Sequence, residues 1–166
     1  VYITMKKIFL TFFTLILLST NSYSAGSDDP PVTKVKSYYA KAVDLIKIAK
    51  KYEKKNKIEK AQKRYAKAQK LLLKSNEKKP LQADTLNYLG FTTRKLGDYE
   101  GGEKFYLQGL QIEPNHNGIN EYLGELYVAT NRMDMAKERL EVLKTCNCEE
   151  FDELKEIIEG TKKSKY

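Results

Sequence analysis

Apolar and small residues recur along the chain with the three-then-four spacing of a helix face. Val35, Tyr38, Ala42, Leu45, Ala49 and Tyr52 form one such stripe. Asn56 interrupts it, and a second stripe follows through Ile58, Ala61, Tyr65, Ala68 and Leu72. Two stripes around a breaker predict an antiparallel helix hairpin, with a coiled-coil dimer through the first stripe as the rival arrangement. Further on, the chain repeats itself at a period of 34: Tyr88-Leu89-Gly90 returns as Tyr122-Leu123-Gly124, Gly102 as Ala136, and Tyr106 as Leu140. Small residues at Gly90, Gly102, Gly124 and Ala136 let paired helices approach closely, while Leu86, Leu89, Tyr106 and Leu110 fill the space between them. Gly97 suits the left-handed end of one helix, Asp98 caps the next, and Pro114 stops it.

The segment Leu86–Pro114 carries Leu-x-x-Leu-Gly, then Gly97-Asp98-Tyr99, then Leu110-x-Ile112-x-Pro114, and resembles the tetratricopeptide repeats. The next unit matches through Leu123-Gly124, Tyr127, Ala136, Leu140 and Leu143, but has Arg132-Met133 at the Asp-Tyr slot. The resemblance implies an all-α solenoid of tetratricopeptide helix hairpins. A long, divergent hairpin is expected over 34–82, its second helix extended by about two turns. Repeats are expected over 83–116 and 117–147, a C-terminal capping helix over 148–160 and a basic tail over 161–166. A capping box from Asn147 and Glu150, with Phe151, Leu154 and Ile158 on one face, is expected to open and seat the capping helix. In this family the first helix of each hairpin lines a groove that takes a protein or peptide. Carried over slot by slot, the groove residues are Ile46, Lys50 and Lys54, then Asp84, Asn87, Phe91 and Arg94, then Glu121, Glu125 and Val128. Phe91 has two expected placements, on the groove wall as a binding aromatic or buried beneath the first hairpin. The clamp that some relatives use for a partner's terminal carboxylate is missing, because Ile46, Gly118 and Tyr122 stand where it needs polar or basic side chains.

The N-terminus calls for separate treatment. Met5-Lys6-Lys7, the apolar run Ile8–Leu18 and the small residues Ser22, Ser24 and Ala25 predict a signal peptide cleaved after Ser24, with Met5 as the translation start. Residues 25–33 then form a disordered lead-in, and the mature chain is expected in the periplasm or outside the cell. The order of these parts is similar to that of small exported repeat proteins of Gram-negative bacteria. Charge divides the mature chain: 25–80 holds 17 Lys and Arg against 6 Asp and Glu, and 81–166 holds 11 against 16. This asymmetry suits a charged partner or head-to-tail homo-oligomers, or reflects a lysine-rich solvated face. No nucleic-acid motif accompanies the basic half.

Catalysis has little to stand on. His116, the one histidine, falls in the loop after Pro114, and no serine or cysteine has a recognisable base partner. A metal site needs more than two thiols and a distant imidazole, so neither metal nor cofactor is expected. Cys146 and Cys148 form a candidate disulfide across one residue. Such a bridge is strained and suited to thiol exchange, and the alternative is local packing or a staple beside the last repeat.

Overall fold

A computed structural model describes residues 36–164. The expected signal peptide, its cleavage site and the lead-in lie outside the described residues, as does Val35 of the first stripe. Seven helices run through the described residues and form three hairpins and a final helix. The first hairpin pairs α1 (Tyr38–Lys54) with α2 (Ile58–Lys78), the second α3 (Ala83–Lys95) with α4 (Tyr99–Ile112), and the third α5 (Asn117–Ala129) with α6 (Met133–Leu143); α7 (Glu149–Ile158) closes the array. Each helix also packs on the next in the chain, and α1, α3, α5 and α7 touch one another in series as a row. The fold is therefore the all-α hairpin solenoid expected from the sequence, and the first stripe is used within one chain.

Each hairpin turn is built the same way. Asn56, Gly97 and Asn131 take the left-handed conformation, with φ of 52°, 98° and 59°. The amide after each donates to the carbonyl five residues back, Lys57 to Tyr52, Asp98 to Thr93 and Arg132 to Tyr127, at 2.9, 3.2 and 2.8 Å. These bonds satisfy carbonyls that a helix end leaves open and reverse the chain within two residues. Asp98 then caps α4, accepting from the Gly101 amide at 2.8 Å.

Packing follows the stripes. Ala42, Ile46 and Ala49 of α1 bury against Ala61, Tyr65, Ala68 and Leu72 of α2, and small residues on facing stripes let the two helices close. Ile46, expected on the groove, is 2% exposed and belongs to the hydrophobic core. In the second hairpin the approach is tighter: a Cβ at Gly90 would lie 2.5 Å from the Tyr106 ring. Gly124 serves a different contact from the one expected, since its missing Cβ makes room for Leu154 of α7 rather than for α6.

Two local expectations need correction. Cys148, not Asn147, is the N-cap of α7, and no side chain caps that end; Asn147 sits at φ 49°, the left-handed turn that carries the chain from α6 to α7. The acidic Glu149, Glu150 and Asp152 of the first turn complement the helix dipole there. His116 is more than a solvated loop residue. Its Nδ1 accepts from the Ile119 amide at 3.2 Å as the N-cap of α5, and its Nε2 lies 3.2 Å from Asp84 Oδ1 on α3.

Candidate functional site

The row of first helices carries an unusual load. The buried polar and charged side chains among the described residues are Thr85, Asn87, Thr92, Thr93 and Arg94 on α3 and Asn120, Glu121 and Glu125 on α5. Burying such groups costs stability unless each finds a partner, so their partners define the site.

Arg94 is at the centre. Its Nη1 donates to the Tyr122 carbonyl at 2.7 Å, and its Nη2 lies 3.5 Å from Glu125 Oε2, with both side chains fully buried. The guanidinium also stands 5.9 Å from the Tyr106 ring centre. Phe91, one turn earlier on α3, takes the buried placement: it is 1% exposed and packs edge-on to Tyr65 of α2 and against Tyr122 of α5. Lys50 of α1 sits over this aromatic group, with Nζ 4.7 Å from the Phe91 ring centre and 3.3 Å from the Tyr122 hydroxyl, to which it donates. Burial, with Glu121 next in effect, holds the Tyr122 hydroxyl protonated well above the ordinary phenol range.

At the C-terminal end of the row, carboxylate oxygens of Glu121 and Glu125 on α5 and Glu153 on α7 lie within 4.8 Å of one another. The positive charge beside them is supplied by Arg94 at Glu125 and by Lys162, whose Nζ donates to Glu153 at 3.2 Å. The cluster is an ion-pair network and carries no metal assignment. Ser164 also reaches it, its hydroxyl donating to Glu125 Oε2 at 3.3 Å.

The remaining expected residues fall around this row. Asn87 and Glu121 are buried within it, Val128 is half-buried at the end of α5, and Asp84 is exposed at the start of α3. Asp84 also borders a cavity of ≈ 570 Å³ where α1 begins, α2 ends and α3 begins, lined in addition by Lys36, Lys41, Lys78 and Lys79. The structure thus gathers Lys50, Phe91, Arg94, Glu121 and Glu125 into one cluster and leaves Asp84 and Val128 at its edges. Cys146 and Cys148 are disulfide-bonded, half-buried, in the turn between α6 and α7.

Sequence reasoning missed Glu153 and the tail residues Lys162 and Ser164. Glu153 had a signal: it is the fifth residue of α7, as Glu121 is of α5 and Asn87 of α3. Treating the capping helix as a fourth first helix would have placed it in the row.

No family model matches the chain, and no curated protein does. Among solved structures, one match is described as the first TPR of Spaghetti (RPAP3) bound to HSP90 peptide SRMEEVD. It is 19% identical with a TM-score of 0.47, and the match covers 76% of this chain and 98% of that one.

Proposed function

We propose that this chain is an exported interaction scaffold that holds a peptide or helix of a partner protein along the row α1, α3, α5 and α7, and that it catalyses nothing itself. The observation that carries this reading is the concentration of buried polar and charged side chains on α3 and α5. Apolar residues of similar volume in those positions often leave a fold as stable or more so. Arg94 and Glu125, both fully buried, instead fix how α3 and α5 sit together and so shape the face that a partner would meet. In this reading Asp84 and Val128, at the edges of the row, make the first contacts with the partner. Asn87, Phe91, Arg94, Glu121 and Glu125 form the buried layer beneath that face and set its shape.

The test is capture of the mature chain from its own cell envelope with cross-linking and mass spectrometry, repeated with Asp84→Lys and Val128→Lys. Asp84 is exposed, whereas Val128 is half-buried and packs against the core, so helical circular dichroism of each variant is matched to the parent chain before capture is compared. One dominant partner cross-linked to α3 and α5, and captured at least 10-fold less by each variant, is the expected outcome. Undiminished capture by both variants removes the row as the binding face.

A second reading has one observation in its favour, the bonded Cys146–Cys148 pair. A chain that exchanges this disulfide with a client would act as a thiol-active assembly factor in the envelope. Free-thiol counting on protein isolated from its compartment separates the two: a fully oxidised, unchanging pair fits the scaffold, and a mixed population fits exchange.

A further inference from the structure

The chain beyond α7 turns back toward the row. Gly160, at φ 74°, ends α7 with the same pair of bonds as the hairpin turns, Thr161 N–H to the Glu156 carbonyl at 3.0 Å and Gly160 N–H to that of Ile157 at 3.2 Å. The Thr161 hydroxyl doubles the first bond at 3.0 Å. This turn delivers the basic segment Lys162-Lys163-Ser164. Lys162 pairs with Glu153 at 3.2 Å and Glu156 at 3.4 Å. Two residues on, the Ser164 hydroxyl donates to Glu125, a side chain on α5 that is completely buried.

We infer that the tail segment 161–164 is the resident occupant of the acidic end of the row, so that a partner must displace it to reach Glu121 and Glu125. This rests on reading the row as the partner-binding face. Three features select the tail as occupant. Its charge is opposite to that of the Glu121, Glu125 and Glu153 cluster, the turn at Gly160 aims it there, and a hydrogen bond already joins it to α5. The covalent link also holds the tail at an effective concentration of the order of millimolar, so even weak contacts keep it seated. A partner with a basic segment of its own is the competitor whose chemistry fits the same carboxylates. Added salt loosens the tail's exposed lysine pairs and lowers the barrier to exchange.

The test compares amide NMR spectra of the full chain, a chain ending at Gly160, and the full-length variant Lys162→Glu/Lys163→Glu/Lys165→Glu. The expected result is that both altered chains shift amides of Glu121–Val128 on α5 and of Arg94 on α3, remote in sequence, besides those of α7. The charge-reversed chain keeps its full length, so it decides the matter even if the shortened one folds poorly. Shifts confined to residues 153–164 in the charge-reversed chain overturn the inference. This readout needs no partner: failure here leaves the groove reading standing, and failure of envelope capture leaves the tail result standing.

Discussion

Arg94 is the residue on which the row depends most. A guanidinium and a carboxylate removed from water together each carry a desolvation cost of several kcal/mol, recovered only through close partners. The Tyr122 carbonyl at 2.7 Å and Glu125 at 3.5 Å are two of those partners, and they tie α3 to α5 through a backbone group as well as a side chain. Arg94→Met keeps the volume and removes the charge, leaving Glu125 to face the interior without it. We expect a loss of about 3–5 kcal/mol by chemical denaturation, and recovery of most of it in Arg94→Met/Glu125→Leu. If the double variant is no more stable than the single, the pair is not the source of the cost. The sequence placed Arg94, Phe91, Glu121 and Glu125 on one face of their helices, as observed. It did not reveal their depth, because what buries Phe91 comes from Lys50 and Tyr65 on one side and Tyr122 on the other, more than 25 residues away in each direction. A helical period reports direction from the axis and says nothing of how far neighbouring helices lean over.

At the scale of the elements, the solenoid is one turn used repeatedly. Asn56, Gly97, Asn131 and Gly160 each take positive φ, followed by the same long return bond. Only glycine, and at some cost asparagine, adopts that conformation readily, since a branched Cβ meets the neighbouring carbonyl. Gly97→Val should therefore cost about 1–2 kcal/mol although open space surrounds a Cβ there. Asn131→Gly should change stability by only a few tenths of a kcal/mol. Thermal unfolding of the two variants checks both; an equal loss at both positions would mean that backbone conformation is not what these sites are selected for. This layer was the most legible from sequence. The 34-residue spacing reappears between the first residues of α3 and α5, Ala83 and Asn117, and of α4 and α6, Tyr99 and Met133. The expected extension of the second helix is also present, with α2 at 21 residues against 14 for α4. The departure at Arg132 acquires a reason as well. Its guanidinium makes two bonds to Glu103 of α4, at 2.8 and 2.7 Å, and stacks 4.5 Å from the Tyr127 ring centre, linking two hairpins where Asp98 in the preceding hairpin caps one helix. The capping box failed for a conformational reason that residue types do not display. Asn147 was needed at positive φ to turn the chain, and from there it is not the residue that opens α7.

Across the whole molecule, tyrosine does much of the joining that tryptophan or phenylalanine does elsewhere: the chain has 12 tyrosines and no tryptophan. Those that pack between helices share one electrostatic property. Burial, and then Asp84, pushes the Tyr39 phenol up to about 12. Burial, and then Glu103, pushes Tyr127 up to about 12. Burial moves Tyr65 and Tyr106 still further in the same direction, with the Glu53 hydrogen bond adding to it at Tyr65 and Arg94 opposing it at Tyr106. These side chains stand on α1, α2, α4 and α5, so every hairpin contains at least one. In the unfolded chain each phenol loses its proton near its ordinary value of 10.0, whereas in the folded chain it stays protonated until higher pH. Between those values the unfolded state binds fewer protons than the native one, and stability falls as pH rises. The stabilisation from these phenols should therefore be fully present below pH 10 and should drain away from there to about 12 and beyond. Because adjacent repeats stabilise one another, its loss in several hairpins at once should appear as one cooperative transition rather than stepwise fraying. Helical circular dichroism and tyrosinate absorbance recorded together through an alkaline titration test this. The exposed phenols should ionise first with helicity intact, and the rest should ionise in step with the loss of helix. If all the tyrosines ionise while the helical signal is unchanged, the buried phenols do not couple the hairpins in the way their packing implies.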